Sequence, residues 1–154
     1  MNGAQAMGCS PIAEAWQRQS FDIKPQKPNT IAKSLAIGNP ADGFYALKVL
    51  SQPGGQATAV SDDEIVNGIK LLAETEGVFS ETAGGVVIAS LCKLVEGGHI
   101  NPDEKVVVFV TGSGLKTAEA VQSHLNTPLN VDPQIVDFEK AMLKRDGTMP
   151  IARK

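Results

Sequence analysis

Residues 105–117, KVVVFVTGSGLKT, carry the groups best suited to holding a ligand. Thr111 offers a hydroxyl, and Gly112, Ser113 and Gly114 offer main-chain N–H groups in a tight polar turn. The apolar run Val106–Val110 leads into that turn, and a helix is expected from about Leu115. An unbroken apolar run predicts a parallel strand covered on both faces. In open α/β sheets ligands bind at the carboxyl ends of such strands. Thr111 and the N–H groups after it are therefore expected to face a cofactor. The turn has neither the G-x-x-x-x-G-K-[ST] spacing of a nucleotide-phosphate loop nor the G-x-G-x-x-G of a dinucleotide site. A plain strand-to-helix turn is the alternative reading.

Two other stretches could line a site. Glu81 and Thr82 open an apolar helix, where N–H groups are free, and Gly84-Gly85 follow in its first turns. Two helical glycines cost on the order of 1–2 kcal/mol against alanine, so something is expected to approach that backbone closely. Packing of the helix on a sheet is the alternative. Ile37-Gly38-Asn39-Pro40 could lay main chain against a flat ligand, or be an ordinary turn before proline. His99 and His124 read as solvated, Lys116 as a surface residue, and the acidic run 62–64 as a complement to a helix dipole. No Ser/His/Asp or Cys/His set is visible. Cys9 and Cys92 have no CxxC spacing and read as reduced thiols, so neither a metal nor a disulfide is indicated.

The elements that must position these residues alternate between strand and helix. Residues 3–7 read as a strand. Ser10 caps a helix with Pro11 at its first position. Residues 20–30 form a polar loop, Thr30 caps a turn over Ile31–Leu35, and a helix runs from near Asp42 to Ser51. QATAV at 56–60 is a short strand. Ser61 and Glu64 form a capping box opening a helix to about Thr75, stopped by Gly77. A second long helix covers 82–96 and ends at Gly97-Gly98. A last helical segment spans about Pro133 to Lys144, and 145–154 is expected to fray. The class is α/β: a parallel sheet with helices on both faces.

The chain has 154 residues, 42% hydrophobic and 5% aromatic, enough for one domain cored by Val, Ile, Leu and Ala. A net charge of −3 argues against a general binder of nucleic acid or anionic membrane. No apolar stretch approaches the roughly 20 residues that span a bilayer. The first residues lack a signal peptide's basic and apolar regions, and a cytoplasmic location is expected.

Four blocks together resemble threonine synthase, a pyridoxal-phosphate enzyme family of fold type II (the tryptophan-synthase-β superfamily). They are GAQAMGCSPI at 3–12, NTIAKSLAIGNP at 29–40, VSDDEIVNGIKLLAETEGVFSETAGG at 60–85 and VVFVTGSGLKTAEAV at 107–121. The resemblance implies that Thr111 meets the pyridine nitrogen of pyridoxal phosphate, with Gly112 beside it. A neutral hydroxyl there leaves the pyridine unprotonated. It also implies that Ile37 and Gly38 lie against the cofactor ring, and that Glu81 lines the pocket from the helix side.

The resemblance covers the later part of the family's chain. The lysine that holds the cofactor lies in an S-F-K-D block there, and no lysine here stands in that context. The Gly/Asn-rich phosphate loop and the small domain have no counterpart. The expectation is that 1–144 is a truncated large catalytic domain and 145–154 a flexible tail. The full enzyme would convert O-phosphohomoserine and water to threonine and phosphate. The isolated chain is expected to be inactive, as a homodimer or in association with a missing N-terminal half. A non-catalytic remnant that binds a partner, and a piece of a related dehydratase or cysteine-synthase-like enzyme, are the alternatives.

Overall fold

The computed structural model describes residues 1–125 and 128–146. A first compact unit spans Met1–His124, and a second begins at Leu125. In the first, β1 (Asn2–Ala6) pairs in parallel with β2 (Gln56–Val60), Ala4 opposite Thr58. Between them come α1 (Pro11–Gln17), a short 3-10 helix at Lys33–Leu35, and α2 (Gly43–Leu50). After β2 come α3 (Asp62–Glu76), α4 (Thr82–Glu96), a 3-10 turn at Gly114–Lys116 and the four-residue α5 (Glu119–Gln122). The second unit contains α6 (Ile135–Asp146), close to the expected helical segment. The expected tail lies almost wholly outside the described residues.

Side-chain alternation along β1 divides the helices between its faces. Gln5 turns toward α1, where its Oε1 accepts from the N–H groups of Ile12 (3.0 Å) and Ala13 (2.8 Å). A Cβ on Gly3 would meet Leu50 of α2. Ala4 and Ala6 instead join Val60, Ile65, Val66, Ile69, Val86 and Ala89 in the core cluster beneath α3 and α4. The α/β class with helices on both faces of a parallel pair is thus observed.

Local chemistry explains the element ends. Ser61 Oγ accepts from Glu64 N–H (3.3 Å) and the Glu64 carboxylate accepts from Ser61 N–H (2.7 Å), completing the capping box. Gly77, at φ 68°, closes α3 in the left-handed conformation that glycine tolerates. Asp62 does more than complement a dipole: its Oδ1 accepts from Thr30 Oγ1 (2.6 Å) and Ile31 N–H (3.2 Å), pinning the 30–31 turn to α3. Ser10 sits at the N-cap of α1, yet its Oγ donates back to Met7 O rather than capping the helix.

Of the pair at 84–85, Gly84 faces the Ser80 side chain, where a Cβ would lie 2.5 Å from Oγ, and Gly85 faces α3. A Cβ on Gly85 would lie 2.5 Å from Ile65 O, and one on Gly68 would lie 2.5 Å from Gly85 O. Main chain of α3 and α4 therefore meets directly, helix on helix rather than helix on sheet.

The expected strand at 106–110 does not form. Among the described residues β1 and β2 pair only with each other. Val107 and Phe109 are 79% and 73% exposed. A strand needs a neighbouring main chain, and among the described residues none bonds to this run. The helix expected after it is reduced to the 3-10 turn and α5.

Two outcomes follow. Gly85→Ala must push α3 and α4 apart, and overpacking of this kind costs about 1–3 kcal/mol, measurable as a lowered midpoint in urea unfolding. For Glu64, burial pushes the carboxyl up, but Ser61 N–H, the Lys93 ammonium at 2.9 Å and Ser61 Oγ outweigh it and hold it below the usual carboxylate range. A depressed folded value stabilises above the unfolded pKa of about 4.3 and is lost as pH falls through the folded one. Urea midpoints taken from pH 6 down to 2 are expected to fall less steeply in Glu64→Gln than in the parent.

Candidate functional site

The turn that ends the 105–117 stretch is strapped to the segment that enters α4. Glu81 N–H donates to Gly112 O (3.3 Å), and Gly114 N–H donates to Phe79 O (2.9 Å). Ser80 and Ser113 form an antiparallel bridge between them. Residues 79–81 and 112–114, far apart in sequence, are one local unit.

Glycine is required twice here. Gly112 has φ 79°, and a Cβ would run into the Glu81 carboxyl. A Cβ on Gly114 would lie 2.5 Å from the Phe79 ring. Ser113 Oγ then accepts from Leu115 N–H (3.3 Å), starting the 3-10 turn. That turn presents Thr117, whose Oγ1 accepts from Thr82 N–H (3.2 Å) at the start of α4. Beside these bonds Ser80 Oγ and Thr82 Oγ1 are buried, and neither has a hydrogen-bond partner among the described residues. Thr111, at the lip of the turn, is exposed.

The structure thus brings Glu81 and Gly112 into contact, with Thr111 adjoining. Ile37 and Gly38 lie on the loop that follows the 3-10 helix of the first unit. Exposed Ile37 lines a cavity of about 480 Å³ with Leu35, Asn39, Pro40, Gln5 and Ile12. Gly38 is held by the polar loop: its carbonyl accepts from Gln26 N–H (3.0 Å), and a Cβ would strike Gln26 O. The 3-10 helix preceding Ile37 packs on α4, whose N-cap is Glu81. Ser80 belongs to the second candidate stretch, residues 80–85, and Thr117 to the 105–117 stretch; Phe79 and the bond of Thr117 to Thr82 N–H are added by the structure.

The turn thus presents an exposed hydroxyl beside a carboxylate, with two buried hydroxyls next to them that have no partner among the described residues. Comparison with known proteins decides the family. The model of pyridoxal-phosphate-dependent enzymes matches residues 1–112. The chain belongs to the pyridoxal-phosphate-dependent enzyme family. Within that family it is similar to the threonine synthase of Methanocaldococcus jannaschii, 44% identical over 133 residues, covering 86% of this chain and 33% of that protein. The threonine synthase of Methanosarcina acetivorans is 38% identical over 92% of this chain and 35% of its own length. That of Halalkalibacterium halodurans is 37% identical over 93% and 38%. The chain spans between 33% and 38% of these curated relatives. Maize serine racemase is similar in structure with a TM-score of 0.47 and 22% identity, covering 58% of this chain and 27% of that one. Among the described residues no helix is long and apolar enough to cross a membrane, and no acid, His or Cys cluster could hold a metal.

The strap of this pyridoxal-phosphate-family chain can be tested by itself. Gly112→Ala is expected to cost about 1–2 kcal/mol for the left-handed backbone alone, plus the clash with Glu81. In a Glu81→Ala background the clash vanishes and the backbone cost remains. Equal losses in both backgrounds, in a urea double-mutant cycle, would show that Gly112 and Glu81 do not touch.

Proposed function

We propose that this chain forms one wall of a pyridoxal-phosphate site in a threonine synthase, an enzyme acting in the cytoplasm on O-phosphohomoserine in threonine biosynthesis. The observation that carries the reading is the strap itself, which fixes Thr111, Gly112 and Glu81 as one unit at the start of α4. The similarity to threonine synthases over most of the chain supports it.

In this reading Thr111 hydrogen-bonds the pyridine nitrogen and, being neutral, leaves that nitrogen unprotonated. Gly112 supplies the φ that turns the chain away and leaves room for the ring. Glu81 borders the pocket from the helix side, and Ile37 offers an apolar surface to the ring with Gly38 behind it. The orphan hydroxyls of Ser80 and Thr82 lie behind the same wall, where they can reorganise when a ligand arrives. Pyridoxal phosphate, when bound, supplies the electron sink for a β,γ-replacement. The lysine that anchors it and the phosphate cradle would come from the part of such an enzyme that this stretch does not match. We infer that residues 1–144 act as part of a large catalytic domain, inactive alone.

The test pairs this chain with the M. jannaschii threonine synthase lacking the stretch that it matches. The mixture is expected to bind pyridoxal phosphate with the long-wavelength absorbance of a lysine-bound cofactor. Thr111→Val is expected to weaken cofactor binding about fivefold to tenfold, the worth of one hydrogen bond of about 1 kcal/mol or slightly more, with Thr111→Ser close to the parent. Threonine formation by the 154-residue chain alone, or cofactor binding indifferent to Thr111→Val, contradicts the reading.

A further inference from the structure

The start of α4 is capped from outside the helix. Glu81 occupies the N-cap, yet its side chain accepts no bond from the first turn. That carboxyl is turned toward the 112–114 turn instead, where a Cβ on Gly112 would strike it. The cap comes from 35 residues further along the chain, where Thr117 Oγ1 accepts from Thr82 N–H (3.2 Å). Thr82 is 0% exposed, so its N–H has no recourse to water. Removing the hydroxyl leaves a buried donor unpaired, which costs more than a typical bond contributes.

Thr117 is placed to hold more than a helix end. Its N–H donates to Gly114 O (3.1 Å) and its carbonyl accepts from Ala120 N–H (3.0 Å), so it closes the 3-10 turn and leads into α5. Val121 of α5, 3% exposed, belongs to the core cluster beneath α3 and α4. Thr117 is therefore tied to the core from its C-terminal side. The strap itself consists of two bonds, Glu81 N–H to Gly112 O and Gly114 N–H to Phe79 O, on either side of the Ser80–Ser113 bridge. Two bonds in one ladder leave a rotation about the ladder's axis. The Thr117 bond lies outside the ladder, at the first turn of α4, and removes that rotation. Upstream of the turn, Val110 reaches α4 as well: a Cβ on Gly84 would come 3.2 Å from its Cγ1. Thr111 thus sits between two attachments to the same helix.

A cap needed only for stability can come from the N-cap residue itself, and Ser, Thr, Asp or Asn at 81 would supply it. A glutamate there, with the hydroxyl supplied by Thr117, leaves a carboxylate free to face the turn that adjoins Thr111.

We propose that Thr117 is a positioning residue. Its hydroxyl sets the register between the start of α4, which carries Glu81, and the turn, which carries Thr111 and Gly112. It touches no cofactor and acts through those residues. The register is a property of this chain, and its use in holding pyridoxal phosphate rests on the function proposed above.

The experiment compares Thr117→Val, which keeps the shape and loses the acceptor, with Thr117→Ser and Thr117→Asp, which keep an acceptor. All are checked as folded by circular dichroism. In the 15N-labelled full chain, Thr117→Val is expected to quicken amide exchange at Thr82 about fivefold to tenfold, the size of one lost cap. Exchange at Glu81 and Gly114, whose N–H groups form the strap, is expected to quicken with it. Serine or aspartate is expected to restore all three. Quickening confined to Thr82, or restoration by neither acceptor, overturns the proposal and leaves the cofactor reading untouched. In the mixture with the shortened M. jannaschii threonine synthase, Thr117→Val is expected to weaken pyridoxal-phosphate binding about threefold to fivefold, less than one full hydrogen bond. In a Thr111→Val background it is expected to have no further effect. Equal weakening in both backgrounds shows that Thr117 does not act through Thr111 and overturns its positioning role. Strap amides that respond while the parent mixture binds no cofactor uphold the register and overturn the cofactor reading instead.

Discussion

The direct contact of α3 with α4 governs what the rest of the molecule can do. Gly68 and Gly85 let main chain meet main chain, with Ile65 O against Gly85. At that separation any Cβ must be displaced, so the relative position of the two helices is set with little slack. Because α4 is fixed, so is its N-terminus at Thr82, and with it the Phe79–Glu81 segment to which the 112–114 turn is strapped. The same contact draws Val86 and Ala89 over Ala6 and Val60, burying one face of the strand pair. Lys93, on the far part of α4, reaches across to Glu64 and to Ala59 O, so one helix serves the core, a sheet edge and the strap.

Much of the frame could be read from residue types because it rests on local rules. The S-x-x-E box at 61–64, Pro11 at the first turn of α1, Gly77 after α3 and Gly97-Gly98 after α4 each satisfy or close a helix end with neighbours in sequence. The strand at 106–110 was a different kind of inference. Five apolar residues in a row say that both faces want covering; they do not say which main chain will lie alongside. In this chain that partner is not among the described residues, and the run is left exposed. The Gly84-Gly85 pair shows the complementary limit. Its need for close approach was legible, but the approaching group, a helix rather than a sheet, depended on the tertiary arrangement. Asp62 likewise carries a second, long-range role with Thr30 that charge position alone could not disclose.

The candidate site has the same two-part character. Glu81 stands out in the sequence as a helix N-terminus and Gly112 as a glycine turn, and the structure joins them through one hydrogen bond and one close contact. Ile37 lines a cavity with Leu35, Asn39 and Pro40, and Gly38 has a sufficient structural cause in the Gln26 loop. A wall with a hydroxyl, a carboxylate and a left-handed turn can orient a heteroaromatic ring. It does not by itself supply a nucleophilic lysine, in keeping with a stretch matching about a third of its relatives, 33% of the M. jannaschii protein.

The central claim is that Thr111, Gly112 and Glu81 form the cofactor-facing surface. The most direct measurement is amide chemical shifts of the 15N-labelled chain, in complex with the shortened M. jannaschii threonine synthase, before and after adding pyridoxal phosphate. The account predicts large shifts at Glu81, Thr111 and Gly112, with the far end of α4 at Val95–Glu96 unmoved. Shifts confined to other parts of the chain, with those three amides unchanged, would contradict it.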